Sequence, residues 1–364
     1  MRTALVYDRI NKFGGAERVL LAIHEIFPEA PLYTSVYDKA LTPWADVFEV
    51  RTSFLQKLPL PKSAHEMYPY LMGMAFENFD FNEFDLVISV THEFAKTVIT
   101  KPKTFHLCYC LNPVGYLWDS YRDYFSAKPD WFKSLSFPLI RYLRWYDKIV
   151  AQRPDRYLTI SRTVQERVKR IYGRDSAVVY PPVEVRESSS SRSDEGFFLI
   201  VSRLVSNKRL DIAVDAFNKL GWPLKIIGTG NLKKTLRQRA GRNVEFLGYL
   251  TDSELSRYYE TCRAVVITGE EDFNIVAVEA QAHGKPVVAF GRGGVTETVI
   301  PKVTGFFFPE ATAESLSETL KETDFDIIKA RNCVDNAEKF SKERFKKEFR
   351  SRLEREYSEY VRSL

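Results

Sequence analysis

The chain has 364 residues, 45% of them hydrophobic and 28% charged, with a formal net charge of +5. That length exceeds one ordinary core and predicts two domains, while the thin positive charge argues against a nucleic-acid binder. No apolar run approaches the roughly 18 residues a membrane span needs, and the N-terminal MRTALVYDRINKFGG holds too short an apolar run for a signal peptide.

In chain order, TALVYD (3–8) reads as a short buried strand. It is followed by Gly14-Gly15-Ala16-Glu17 and the helix RVLLAIHEIF. Strand, glycine turn and helix is a layout that cradles phosphate, because adjacent glycines let a ligand approach the backbone. It is neither a P-loop nor G-x-G-x-x-G, so alone it specifies little. Glu17 reads as structural at the helix start. PLYTSVYD (31–38) and VFEVRTSF (47–54) predict the second and third strands, and residues 55–80 read as mostly helical.

FDLVISVTHEFAKTV (84–98) predicts a buried strand ending near Val90, with Thr91 and His92 at its C-terminal edge, where open α/β sheets hold ligands. KTFHLCYCLNPVGYLWD (103–119) is another strand. Cys108 and Cys110 alternate faces within it and, with Cys262 and Cys333, make no disulfide framework, so packing in a reduced cytoplasmic setting is expected. Tyr116 and Trp118 suit either a sugar face or the core. Residues 126–155 mix Lys and Arg with Trp, Phe, Leu and Tyr. Such a segment lies on an anionic membrane surface or packs on its own domain with snorkelling cations. RYLTISRTVQERVKRIYG (156–173) is strand then amphipathic helix, SAVVYPPVEV (176–185) closes the first half, and RESSSSRSDEG (186–196) reads as an interdomain linker.

The pattern then restarts. GFFLIVSRL (196–204) is a buried strand, with Arg203 at its exit and Lys208 before the helix RLDIAVDAFNKLG; two cations so placed can grip a diphosphate. PLKIIGTGN (223–231) is a strand with Gly228 and Gly230 in its exit. VEFLGYLTDSEL (244–255) is strand, turn at Leu250, and a helix capped by Thr251 or Asp252. AVVIT (264–268) ends a buried strand at Gly269. Glu270 and Glu271 follow, then a helix from about Asn274 to His283 that carries Glu279 and stops at Gly284 and Pro286. Free amides near Phe273, Asn274 and Ile275 favour an anion, and Glu271 and Glu279 can accept from hydroxyls. The only D-x-D, Asp324-Phe325-Asp326, falls between helices far from this region and reads as incidental, so no metal site is expected. In the tail (340–364), Phe345, Phe349, Leu353, Tyr357 and Val361 recur every four residues, a helix with one apolar face.

Taken together, Glu271, seven residues, Glu279, then G-K-P-V, an apolar strand and G-R-G-G resemble the donor-site signature of retaining GT-B glycosyltransferases of family four. S-R-L-x-x-x-K-R-x-D resembles that family's diphosphate segment, and the Gly14-Gly15 loop its N-domain loop. His92 resembles its strand-end histidine. Asn274 stands where the family usually has Gly, and Leu111, Asn112 and Gly115 stand where relatives often have His, Thr and Arg.

The resemblance implies an α/β fold of two Rossmann-like domains with parallel sheets facing across a cleft. Residues 1–185 would take the acceptor and 197–340 the nucleotide sugar, with the 341–364 helix packing back on the first domain. It implies a metal-independent hexosyltransferase with no protein nucleophile. Catalytic roles would fall to His92, Arg203, Lys208 and Glu271, with Gly14, Gly15, Gly228, Gly230, Leu250, Phe273, Asn274, Ile275 and Glu279 around the donor. In that arrangement Glu271 and Asn274 would hold sugar hydroxyls and Glu279 the ribose. The GGAER start and CYC-x-x-P-x-x-Y-x-W-D are similar to surface-polysaccharide mannosyltransferases, which implies GDP-mannose as donor and a glycan or lipid-linked acceptor at the inner membrane face. A UDP-hexose donor, a sugar-nucleotide epimerase of the same fold, and a non-catalytic sugar-nucleotide sensor are the alternatives.

Overall fold

The computed structural model describes residues 1–58, 69–119, 121, 129–185 and 194–363. The chain divides into two compact units, Met1–Pro182 with Glu343–Leu364, and Val183–Lys342. The serine-rich stretch read as a linker lies outside the described residues as far as 193.

In the first unit, β1 (Thr3–Tyr7), β2 (Leu32–Thr34), β3 (Val50–Thr52), β4 (Leu86–Thr91), β5 (Phe105–Cys110), β6 (Arg156–Thr159) and β7 (Ala177–Val178) form one parallel sheet in the order β3-β2-β1-β4-β5-β6-β7. Every residue of β1, β4 and β5 is buried. A parallel strand covered on both faces has no polar alternation to show, which is why these segments read as unbroken apolar runs. The third strand is shorter than its apolar pattern suggests, because Pro43–Val47 forms a 3-10 turn instead. Of the helix expected over 55–80, the described part is Pro69–Glu77, and 59–68 lie outside the described residues.

The second unit repeats the plan. Its strands β8 (Phe198–Val201), β9 (Leu224–Ile227), β10 (Val244–Gly248), β11 (Ala264–Ile267), β12 (Val287–Phe290) and β13 (Gly305–Phe308) run parallel in the order β10-β9-β8-β11-β12-β13. In each sheet the strand order reverses beside the first strand, between β1 and β4 and again between β8 and β11. Loops leaving the carboxyl ends of such a pair diverge, and the crevice they leave is where open α/β sheets take ligands.

The last helix, Lys342–Ser363, packs on the first unit's sheet through Phe345, Phe349 and Leu353, all buried. Tyr109 of β5 lies 6.0 Å from the rings of both Phe345 and Phe349, and Phe105 lies 5.0 Å from Tyr360. The expected stripe is corrected at its end: Tyr360 is buried and Val361 exposed. Each four-residue step turns about 40° past a full circle, so a strict four-residue repeat walks off the buried face within a few turns.

Candidate functional site

Both reversal points carry a charged cluster. In the second unit, the chain leaves β8 through Arg203, makes a 3-10 turn over Ser206–Lys208, and enters the helix Leu210–Leu220 with Arg209 in the left-handed region at φ 49°. The β11 exit packs against this turn. Thr268 Oγ1 donates to the Lys208 carbonyl at 2.9 Å, and a side chain at Gly269 would press on the Asn207 carbonyl at 2.7 Å. The contact brings Lys208 Nζ onto both carboxylate oxygens of Glu271, a half-buried pair joining residues 63 apart. Arg203 on the same turn is exposed and has no ion-pair partner among the described residues. The two cations therefore differ: Lys208 already holds a countercharge, and Arg203 does not.

The G-R-G-G loop clamps the other side of Glu271. Gly294 N donates to the Glu271 carbonyl at 2.7 Å, and Glu271 bridges to Gly293. Gly293, at φ 75°, could carry a Cβ only by pushing it to 2.5 Å from the Glu271 carbonyl oxygen, so backbone contact dictates glycine there.

Asn274 caps the helix Ile275–Ala282 from the left-handed region, φ 72°, with its Oδ1 accepting from Ala277 N at 2.9 Å. This modifies the expected role. The side-chain oxygen is committed to the cap, as is usual for this residue type, and is not held out toward a sugar. Phe273 is buried with its ring 5.6 Å from Phe340, so any ligand would meet its amide rather than its ring. Glu279 accepts from the Tyr259 hydroxyl at 3.0 Å, and Tyr259 stacks on His283 at 5.1 Å.

Gly228 and Gly230 line the β9 exit for a packing reason. A Cβ on either would strike the carbonyls of Ser202 or Leu204 at 1.9 and 2.3 Å, so both let this loop lie directly on the Arg203 turn. Leu250 is half-buried against the cluster that includes Phe197, Leu199 and Val265.

In the first unit, Asp8 follows β1 and is fully buried. Its Oδ1 accepts from the amides of Phe94 and Ala95 at 2.9 and 2.7 Å, its Oδ2 from those of His92 and Glu93 at 2.8 and 3.1 Å, and Thr91 Oγ1 donates to both. Five donors thus tie the β4 exit to β1, and this loop carries His92. The His92 ring stands with Nδ1 3.3 Å from Asp8 and Nε2 3.3 Å from an Arg9 nitrogen. With Nδ1–H donating to the carboxylate, the Nε2 lone pair faces the guanidinium. Arg9 is buried and pairs with Glu93 at 2.5 Å. Burial works against its charge, but Glu93, followed by Asp8 and Tyr7, more than offsets this, and its pKa is raised.

Gly14, at φ −176°, is ordinary extended backbone, and Gly15 opens the first helix. Glu17 is buried and accepts from Tyr7 at 2.5 Å, a structural role as expected; burial, then Glu17, pushes the Tyr7 phenol well up. Trp118 belongs to the core side of its two readings, since its indole donates to buried Asp147 at 2.8 Å. Asp324 caps its own turn by accepting from Asp326 N, and Phe325 is buried between them. Sequence reasoning missed Asp8, Arg9 and Glu93. The signal was a carboxylate directly at a strand end, but its partners lie more than 80 residues away.

Residues 183–340 match the model of the glycosyl transferases group 1 family. An uncharacterized glycosyltransferase of Methanocaldococcus jannaschii is 27% identical over 55% of this chain and 58% of its own length. The O-antigen chain mannosyltransferase C of Escherichia coli is 28% identical over 50% of this chain and 52% of its own. The chain spans about half the length of the curated relatives it matches. Among solved structures, Anabaena HepE in complex with UDP-glucose superposes with a TM-score of 0.71, covering 97% of this chain and all of that one at 19% identity. The likeness establishes the GT-B fold for the chain.

Proposed function

We propose that this chain is a retaining glycosyltransferase that moves a hexose, mannose from GDP-mannose, to a hydroxyl of a glycan or lipid-linked glycan. The observation that carries the reading is the Lys208–Glu271 pair at the β8/β11 reversal, beside the exposed Arg203. Each member of the pair is the group a sugar diphosphate needs. When a donor enters, Lys208 turns from the carboxylate to the diphosphate and joins Arg203 there, while Glu271, released, accepts from a sugar hydroxyl. The bond from the anomeric carbon to the phosphate oxygen breaks as the acceptor oxygen bonds on the same face. The acceptor proton passes to the departing phosphate, leaving a glycoside and a nucleoside diphosphate. Both cations meet charge that grows during this step, which is where electrostatic stabilisation lowers a barrier. Glu279, on the adjoining helix, is assigned the ribose, and the amides at Phe273 and Ile275 the phosphate. His92, oriented by Asp8, is assigned to the acceptor side.

Mannose is favoured by the resemblance of the N-terminal motifs and by the mannosyltransferase of E. coli among the relatives. The test combines thermal shift with product analysis. GDP-mannose is expected to raise the melting temperature more than UDP-glucose, and mannose to appear on a glycan acceptor with its anomeric configuration kept. Tighter stabilisation by a uridine compound overturns the donor; conversion of the donor without an acceptor points to an epimerase. Binding with no turnover under any acceptor makes the protein a sensor.

A further inference from the structure

The helix Asp130–Val150 is held from one side. Ile140 and Leu143 are buried in a cluster with Val114 and Leu117. Asp147, fully buried, pairs with Lys96 at 2.8 Å and accepts from the Trp118 indole and the Tyr172 hydroxyl at 2.8 and 2.9 Å. These contacts fix the rotation of the helix. At 100° per residue, Trp131, Leu135, Leu139, Tyr142, Trp145 and Ile149 then fall within an arc of about 120° on the far side. All six are exposed, Trp131 at 67%, Leu135 at 74% and Trp145 at 59%.

Charge is just as one-sided. Arg141 and Lys148, both exposed, border the apolar stripe, with exposed Phe137 among them. The helix has two carboxylates: Asp130 at its first position, exposed and paired with Lys133 at 2.9 Å, and Asp147, which points inward, so none lies between them among the stripe's residues. A solvated helix face normally carries both signs and few aromatics. No helix among the described residues is long and apolar enough to cross a membrane.

We infer that this helix lies in the plane of an anionic lipid surface, its tryptophans and leucines in the headgroup–acyl boundary and its bordering cations on lipid phosphates. Tryptophan and tyrosine favour that boundary, and cations beside an apolar stripe match anionic headgroups. A second copy of the chain is the poorer occupant, because a two-fold pairing sets a patch against itself and would bring these cations together. The inference does not depend on the donor reading, since every residue it uses lies in the first unit.

The test is co-sedimentation of the full chain with phosphatidylcholine vesicles, with and without about one-third phosphatidylglycerol. Binding is expected to the anionic vesicles only and to weaken as salt rises. Trp131→Ser/Leu135→Ser/Trp145→Ser, at exposed positions, should lower the bound fraction at least about tenfold, and Arg141→Glu/Lys148→Glu should do the same. Circular dichroism melts of both variants, expected to match the parent, show that the fold is kept. The inference is overturned if the parent stays in the supernatant, if folded variants pellet like the parent, or if the triple substitution instead abolishes a concentration-dependent dimer that ignores vesicles. A GDP-induced thermal shift run alongside reports on the donor site separately, so failure of one reading leaves the other legible.

Discussion

Lys208 and Glu271 sit close enough to neutralise each other, so removing either leaves an unmatched charge at the site as well as a missing contact. Lys208→Ala is expected to lower kcat by about 10²- to 10³-fold, the range for losing one donor to a developing oxyanion. Arg203→Ala, which breaks no ion pair, should also lower kcat, because Arg203 meets the same growing charge, but should leave unfolding stability unchanged. Steady-state kinetics with the donor varied, beside urea unfolding of both variants, test this; an Arg203→Ala enzyme with unchanged kcat would sink its role.

A second residue-scale prediction concerns His106 in β5, fully buried with Nε2 2.8 Å from Ser89 Oγ. Burial, helped by the Arg153 and Arg174 charges, pushes its pKa down to about 3. The folded chain keeps this imidazole neutral, while the unfolded chain protonates it near pH ~6.5. The stability it confers is complete above that pH and lost as pH falls toward about 3, at about 1.4 kcal/mol per pH unit. Urea unfolding should therefore show the gap between the parent and His106→Gln shrinking by about 2 kcal/mol between pH 7 and pH 5. A gap that stays constant would contradict the assignment.

At the level of single elements, the helix Ile275–Ala282 depends on how it starts. Asn274 combines a left-handed backbone with a side-chain cap. Asn274→Gly keeps the backbone and loses only the cap, so it should cost a few tenths of a kcal/mol at most. Asn274→Ala loses the cap and strains the backbone, for about 2 kcal/mol together. Chemical denaturation of the two variants tests the order Ala below Gly. This also explains how the chain can depart from the family's usual glycine: Asn is among the few side chains that tolerate such a φ.

At the level of the molecule, one hydrophobic cluster of the described residues runs from Ala4 to Val98 within the first unit and another from Phe198 to Phe325 within the second. Phe349, from the far end of the sequence, is buried in the first. Phe349→Ala should cost the first unit about 3–5 kcal/mol, while saturating nucleotide stabilises the second by mass action, about 2.7 kcal/mol at a hundredfold excess over Kd. Scanning calorimetry should thus show the substitution lowering one transition and GDP raising another. A single transition moved by both would refute the separation.

The strands were legible because a buried parallel strand is an apolar run. Thr268–Val299 stood out because its whole string resembles a family's donor-site signature, and Arg203, Lys208 and Glu271 were singled out by that resemblance together with their place at strand exits. What sequence could not supply was partnership. That Lys208 spends its charge on Glu271 and that Asp8 gathers the β4 exit depend on segments 63 and 87 residues apart meeting at a sheet edge. Periodicity failed at Val361 for a geometric reason: a strict four-residue repeat drifts off the buried face, which leaves Tyr360 buried there instead. The sequence determined which segments would be strands and helices and which chemistry they carried, because those follow from neighbours in the chain. Tertiary structure alone decided which charges are matched and which side of a helix is left bare, because strand order, set by burial across the whole sheet, chooses who meets whom.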